Sequence, residues 1–196
     1  MTRRPIFIIP GYKHKPKNKA YKEIARILKN EGYNPVPVNI PWQKRTISQN
    51  TEYFLKRYKK INSRKKYILG FSFGAMIAFI ASTKVNVSGL ILCSLSPYFK
   101  EDLSYLNESW ESPIMIKRYE DFSSLECTNL STMTKAKQIS MLYGAKEEKL
   151  LIKRARRAYN QITSKNKHLI PVSEAGHDLG NKRYLYAIHQ IAKQLN

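Results

Sequence analysis

The segment Gly70-Phe71-Ser72-Phe73-Gly74 places a serine hydroxyl between two glycines, each two positions away. It follows a strand-like run at 67–69 and precedes a helix-like run at 75–82. A serine at such a tight turn takes a strained backbone conformation, and flanking glycines let the strand and the helix approach each other closely. The start of the helix would also favour negative charge beside the serine. The pattern therefore predicts that Ser72 is a nucleophile for acyl transfer.

A serine nucleophile needs a base, and His177 is the best placed of the four histidines. It follows the last strand-like run, in a turn just ahead of the final helix, where a loop could bring its imidazole to Ser72. His168 and His189 fall within a strand-like and a helix-like run, which favours packing or surface roles. His14 stands among lysines, whose charge would lower its pKa and weaken it as a base.

The base in turn needs an acid that holds its orientation, and Glu147 is the first candidate. It follows the strand-like run at 139–143, and Glu148 comes directly after it. Both glutamates also suit the first turn of the next helix, where the helix dipole favours acidic residues. Asp102, after the fourth strand-like run, is a further candidate. Asp178 is a poor one, because neighbouring side chains on a turn seldom point into one hydrogen bond.

Six strand-like runs alternate with helix-length segments along the chain, at 6–9, 36–40, 67–69, 90–93, 139–143 and 169–172. Thr46 and Gln49 have the spacing of a capping box, and helices are expected at 18–30, 149–161 and 182–195. Alternation of this kind predicts a mainly parallel sheet between two layers of helices, an α/β/α sandwich. The length of 196 residues fits one domain spanning 1–196.

The chain order of serine, acid and histidine, with Pro10-Gly11-Tyr12 upstream, resembles the α/β-hydrolase superfamily over nearly the whole sequence. The resemblance implies a small, largely uncapped serine hydrolase of about six strands, which needs no cofactor and cleaves a carboxylic ester or thioester. It also implies that the backbone N–H groups of Tyr12 and Phe73 form the oxyanion hole. The sequence departs from the family at Glu147, where Asp is usual, and at Phe71, where His is common. The oxyanion loop also lacks the His-Gly pair often seen there.

Residues 96–138 form the one long stretch without clear alternation. Long excursions of this kind in a compact domain are usually functional. We expect a small lid or pocket wall here, with Tyr98 and Trp110 contacting the substrate.

The net charge of +21 creates a positive field over much of the surface. Many of the lysines are expected simply to be solvated. However, the loop after the first strand carries Lys13, which would lie near the mouth of the site and could contact an anionic acyl substrate. An alternative is a catalytically weak or inactive relative that binds an acidic partner or nucleic acid through this basic surface, although the basic clusters match no known nucleic-acid-binding module.

Other features bear on location and cofactors. The apolar runs are far shorter than the roughly 20 residues that span a bilayer, and no secretory signal is evident, so a cytoplasmic protein is expected. Cys93 and Cys127 are expected to be reduced thiols. The spacing of cysteines and histidines predicts no metal site.

Overall fold

The computed structural model describes residues 4–195. A six-stranded sheet lies at its centre. All its strands are parallel, in the order β2-β1-β3-β4-β5-β6. The strands are β1 (Pro5–Ile9), β2 (Asn34–Pro37), β3 (Tyr67–Phe71), β4 (Gly89–Cys93), β5 (Ile139–Gly144) and β6 (Lys167–Val172).

Seven α-helices connect or follow these strands. They are α1 (Lys19–Asn30), α2 (Ile47–Lys60), α3 (Phe73–Lys84), α4 (Pro113–Ser123), α5 (Cys127–Met133), α6 (Lys149–Gln161) and α7 (Lys182–Gln194), with a short 3-10 turn at Leu103–Tyr105. The architecture confirms the predicted α/β class with a parallel sheet.

Two apolar cores fill the two faces of the sheet. Alternate residues of β1 divide between them: Phe7 packs in one core, while Ile6 packs in the other. The first core contains the buried apolar side chains of α2 and α3, and the second those of α1 and α7. Helix α3 is buried almost all round because it is covered both by the sheet and by α2. This burial fixes the start of α3, and with it the turn that carries Ser72.

Most predicted elements appear within a residue or two of their expected bounds. The capping box at the start of α2 is present, with the Gln49 N–H donating to the Thr46 hydroxyl and the Gln49 side chain accepting from the Thr46 N–H. Strand β2 ends at Pro37, short of the predicted 40, although the N–H of Val38 still donates to Ile8. Helices α4 and α5 were not predicted. Ser112 caps helix α4, which begins with a proline at its first helical position, Pro113.

Strand β2 is one edge of the sheet, and its sequence contains Pro35 and Pro37. The N–H groups of Asn34 and Val38, which flank the two prolines, donate toward β1. The two proline positions therefore face away from the sheet, where a missing N–H costs no ladder hydrogen bond. Across residues 4–195, no helix combines the length and apolar character needed to cross a membrane.

Candidate active site

Ser72 lies at the sharp turn between β3 and α3. Its backbone has φ 56° and ψ −121°, a strained conformation for a residue with a side chain. A Cβ on Gly70 would lie 2.3 Å from the Gly74 carbonyl oxygen, and a Cβ on Gly74 would lie 2.2 Å from the Ile9 carbonyl oxygen. Both contacts are too short for any other residue, so the two glycines are required by the close approach of strand and helix.

The structure brings together the side chains of Ser72, His177 and Glu147, which come from three different loops. Nε2 of His177 lies 3.1 Å from Oγ of Ser72, and Nδ1 of His177 lies 3.3 Å from Oε1 of Glu147. Glu147 follows β5 and its side chain is fully buried, whereas the His177 side chain is 40% exposed. The loops meet because the carboxyl ends of parallel strands lie at one edge of the sheet.

A second layer of hydroxyl groups surrounds Glu147. The Ser94 hydroxyl donates to Oε1 of Glu147, and the Tyr184 hydroxyl lies 2.7 Å from Oγ of Ser94. Because the Ser94 proton points to the carboxylate, Tyr184 is the donor in the second contact. Burial raises the pKa of Tyr184 well above its ordinary value, so the phenol keeps its proton. Sequence reasoning missed both residues; the signal for Ser94 was its position directly after β4.

Ser96 makes another contact that the sequence did not suggest. Its Oγ lies 3.0 Å from Oγ of Ser72, and only 3% of the residue is exposed. The Ser72 hydroxyl therefore has two neighbours, Ser96 and His177, that can exchange a hydrogen bond with it. Like Ser94, Ser96 belongs to the loop that follows β4.

The two alternative acids lie elsewhere. Glu148 is the exposed residue before α6, and the carboxylate that pairs with His177 is that of Glu147 instead. Asp102 is buried and receives two hydrogen bonds from Arg154, from Nε at 2.6 Å and from Nη2 at 2.5 Å. That bidentate ion pair occupies both carboxylate oxygens of Asp102 and ties residues 96–138 to α6.

The two predicted oxyanion residues, Tyr12 and Phe73, have their side chains in contact. The rings of Tyr12 and Phe73 have centroids 5.5 Å apart. Phe73 is the first residue of α3, so its N–H has no partner within the helix. The N–H of Tyr12 makes no backbone hydrogen bond within residues 4–195.

A tyrosine from α1 anchors the loop that carries Tyr12. The Tyr21 hydroxyl accepts a hydrogen bond from the Gly11 N–H at 2.9 Å and lies 2.9 Å from Nδ1 of His14. Partial burial of the His14 ring, and secondarily the nearby His177, lower the pKa of His14. The direction matches the expectation from sequence, but its causes are burial and His177 rather than the neighbouring lysines. Neutral His14 can accept the Tyr21 proton at Nδ1.

A pocket of about 150 Å³ opens beside Tyr12 and Phe73. Half of its lining residues are aromatic, and α4 contributes Met115, Arg118 and Phe122. Tyr98 and Trp110, both predicted to contact substrate, line it. Lys13 does not: it is exposed, with its ammonium 5.2 Å from the centre of the Tyr12 ring.

Arg118 connects α4 to the other walls of the pocket. Its guanidinium donates to the Tyr12 hydroxyl at 3.0 Å and to the carbonyl oxygens of Trp42 at 2.9 Å and Arg45 at 3.2 Å. These three hydrogen bonds hold residues from separate loops around one opening. As for metals, the described part of the chain, residues 4–195, contains no group of three His, Cys, Asp or Glu side chains suited to an ion.

Comparison with solved structures identifies the architecture. The chain superposes on Est1E from Butyrivibrio proteoclasticus with a TM-score of 0.81 and 14% identity, over 98% of this chain and 86% of that one. The chain has an α/β-hydrolase fold. The Pyrococcus furiosus esterase Pf2001 matches with a TM-score of 0.76 and 14% identity, over 99% of this chain and 82% of that one. A monoacylglycerol lipase from Paleococcus ferrophilus matches with a TM-score of 0.71 and 12% identity, over 100% of this chain and 96% of that one. No family model and no curated protein matches the sequence.

One departure of this sequence from the usual α/β-hydrolase pattern can be located. Phe71 stands where His is common, and its ring centroid lies 4.8 Å from that of His177 and 6.1 Å from that of His14. The phenyl ring of Phe71 thus packs against His177, the predicted base, and against His14. It provides an apolar surface that supports the His177 imidazole.

Proposed function

We propose that this protein is a serine hydrolase that cleaves a carboxylic ester or thioester through an acyl-enzyme on Ser72. The observation that carries the proposal is the line of contacts from Oγ of Ser72 to Nε2 of His177, at 3.1 Å, and from Nδ1 of His177 to Oε1 of Glu147, at 3.3 Å. This arrangement supports the assignment of Ser72 as nucleophile, His177 as base and Glu147 as orienting acid. The solved esterases and lipase with the same fold support the class of reaction.

In the first step, Oγ of Ser72 attacks the carbonyl carbon of the substrate while its proton passes to Nε2 of His177. The Glu147 carboxylate stabilises the imidazolium that forms. The N–H groups of Tyr12 and Phe73 donate to the negative oxygen of the tetrahedral intermediate. When the carbon–oxygen or carbon–sulfur bond breaks, His177 returns the proton to the departing alcohol or thiol.

In the second step, a water molecule attacks the acyl-enzyme carbonyl and gives one proton to His177. Collapse of this intermediate transfers that proton back to Oγ of Ser72 and releases a carboxylic acid. The exposed edge of His177 leaves a path by which this water reaches the ester. Residues 96–138 act as a small cover in this scheme, because Tyr98, Trp110 and α4 supply pocket walls.

The high positive charge supports an anionic substrate. Lys13 lies over the Tyr12 ring, and the pocket lining contains two arginines, Arg45 and Arg118, against one acidic residue, Glu108. An electropositive rim raises the encounter rate of anions, and salt weakens that effect. Turnover of a neutral ester and of its carboxylate-bearing analogue should be compared over a series of salt concentrations. Equal turnover without salt dependence would remove the anionic preference and leave the hydrolase proposal intact.

A binding protein without turnover is the second candidate, and the net charge of +21 is the observation that favours it. Such a protein would use its basic surface to hold an acidic partner or nucleic acid. It would not react with a fluorophosphonate, and it would be retained on nucleic acid in a salt-sensitive way.

The deciding experiment combines a fluorophosphonate probe with 4-nitrophenyl esters of graded chain length. Wild type, Ser72→Ala and the surface control Ser173→Ala are compared. We expect labelling and turnover in wild type and Ser173→Ala, and neither in Ser72→Ala. Labelling that persists in Ser72→Ala, or no labelling and no turnover in any of the three, would contradict the proposal.

A further inference from the structure

The pocket beside Tyr12 and Phe73 contains a polar group that no neighbouring residue satisfies. Asn50, on α2, lines the pocket and is 1% exposed. Neither Oδ1 nor Nδ2 of its side chain has a hydrogen-bond partner within residues 4–195. A buried amide without partners costs free energy, so such a group inside a binding pocket points to a ligand that completes its hydrogen bonds.

A second unsatisfied donor stands in the same pocket. Trp42 is 7% exposed, and its Nε1–H finds no acceptor among the described residues. The Trp42 ring also contacts those of Tyr12, at 5.6 Å, and Phe73, at 6.4 Å, which connects it to the predicted oxyanion residues. Because both residues line the pocket, we infer that a ligand there pairs with these groups, an N–H donor on Trp42 and both an N–H donor and an acceptor on Asn50.

A hydroxyl group is a small ligand group that matches this combination. It donates its proton to Oδ1 of Asn50 and accepts from an N–H of Asn50 or Trp42. A carbonyl or ether oxygen can only accept, which would leave Oδ1 unpaired. A methyl group would leave all of these polar atoms unpaired.

The size and walls of the pocket define the rest of the ligand. A volume of about 150 Å³ is that of a cavity that holds one benzene-sized ring. Tyr12, Phe73, Tyr98, Trp110 and Phe122 give it flat, apolar walls. Aromatic side chains in such walls favour offset or edge-on contacts with another ring.

We propose that this pocket selects substrates in which a single ring bears a hydroxyl group, which hydrogen-bonds to Asn50. The proposal rests on the proposed ester hydrolysis for its reaction, but the binding preference itself does not require turnover. Asn50 acts here as a specificity-determining residue, and Trp42 as a second donor to the same ligand.

Binding is tested first, in Ser72→Ala protein, so that the esters remain intact. The probes are methyl 4-hydroxybenzoate, methyl 4-methoxybenzoate and methyl 4-methylbenzoate, which differ only at the ring position opposite the ester. The chain contains two tryptophans, Trp42 and Trp110, and both line the pocket. Their indole N–H signals in a nitrogen–proton correlation spectrum therefore report directly on this site.

We expect the hydroxyl ester to bind about 10- to 100-fold more tightly than the methyl ester, since the methyl ester leaves buried polar groups unpaired. The methoxy ester should bind with an affinity between those of the other two, because its ether oxygen can accept a hydrogen bond but leaves Oδ1 of Asn50 unpaired. In Ser72→Ala/Asn50→Leu the preference for the hydroxyl ester should fall to within about twofold. Ser72→Ala/Asn160→Leu, which changes an exposed asparagine of α6, should keep the full preference. Equal affinities for the three esters, or the same preference in the Asn50 and Asn160 variants, would overturn the proposal.

Two further measurements separate this proposal from the proposed function. Urea denaturation of the single variant Asn50→Leu checks that it folds, and we expect it to be at least as stable as wild type because an unpaired buried amide is removed. Wild-type turnover of the same esters gives the second distinction. Turnover that depends on Ser72 but shows no hydroxyl preference would contradict only the role of Asn50. A hydroxyl preference in binding without any turnover would contradict only the hydrolase.

Discussion

The Ser94 hydroxyl donates to Oε1 of Glu147, the same oxygen that faces Nδ1 of His177. Ser94 follows β4, Glu147 follows β5 and His177 follows β6, so three successive loops determine how the imidazole is held. The longer side chain of glutamate, compared with aspartate, has one more bond about which it can rotate. The hydrogen bond from Ser94 removes that freedom. The geometry of the site is thus compatible with Glu147 as the acid.

Glu147→Gln should lower kcat for a 4-nitrophenyl ester by about 10³- to 10⁴-fold, because the amide neither stabilises the imidazolium nor holds the correct tautomer. Its neighbour provides a matched control. Glu148→Gln, one position along and exposed, should retain wild-type kcat within about twofold. Steady-state kinetics on both variants shows which glutamate is the acid. An equal loss of kcat in the two variants would argue against Glu147.

Ser94→Ala should lower kcat about 10-fold and leave KM unchanged, because Ser94 orients the acid without lying in the substrate pocket. Tyr184→Phe should lower kcat by a smaller factor, since the Ser94 hydroxyl can still donate to Glu147. The measurement is a full kcat and KM determination over pH. A rise in KM with an unchanged kcat in Ser94→Ala would show that Ser94 contacts substrate instead.

Gly74→Ala should destabilise the fold by at least about 2 kcal/mol, because the added methyl group overlaps the backbone of β1. The nearest atom to that Cβ is the Ile9 carbonyl oxygen at 2.2 Å. Gly176→Ala is the matched control, since the nearest atom there is the Lys146 carbonyl oxygen at 4.0 Å. Urea denaturation followed by circular dichroism compares the two variants. A tolerated Gly74→Ala would contradict the packing of β1 against α3 described above.

Asp102→Asn should lower the free energy of unfolding by about 3–5 kcal/mol, because it leaves the Arg154 guanidinium buried without its counter-charge. The exposed ion pair between Lys84 and Glu52, at 2.5 Å, is the comparison. Glu52→Gln should not shift the urea midpoint measurably, since water already solvates both groups. Similar midpoints for the two variants would show that the Asp102–Arg154 pair stabilises no more than a surface pair.

His14 should make stability depend on pH. Its pKa in the folded protein lies below the ordinary 6.5, so the unfolded chain binds more protons between these two pKa values. The free energy of unfolding should therefore fall as the pH is lowered through 6.5 towards the folded pKa. His14→Gln keeps an acceptor for the Tyr21 hydroxyl but does not titrate, so it should lose less stability between pH 7.5 and pH 5. Urea denaturation at several pH values tests this, and parallel pH profiles would exclude the effect.

Local pattern was sufficient to predict most of the fold. Strands β1, β3, β4 and β5 are mainly apolar and buried along their whole length, as expected for strands covered on both faces. Helix α6 has the bounds that its periodicity predicted. Helices α4 and α5 escaped prediction because they are short and bury few side chains, Phe122 in α4 and Cys127 and Ser131 in α5. A weak apolar stripe leaves little periodic signal.

The site was only partly predictable for a different reason. Ser72 can be recognised from local sequence, because the crowded backbone around it requires glycine at positions 70 and 74. Ser94, Ser96 and Tyr184 have no such local pattern, because a buried hydroxyl is recognised only by what lies opposite it in three dimensions. Asn50 is similar: its position on the buried face of α2 is readable from sequence, but the pocket it faces is closed by α4, far along the chain.

The two prolines of β2 limit how copies of this molecule could join. A further strand laid against this edge would find carbonyl oxygens at positions 35 and 37 but no N–H groups to donate in return. The covalent structure of the two prolines therefore opposes lateral growth of the sheet at this edge, at any salt concentration. An intermolecular sheet would have to be built from the opposite border, along β6.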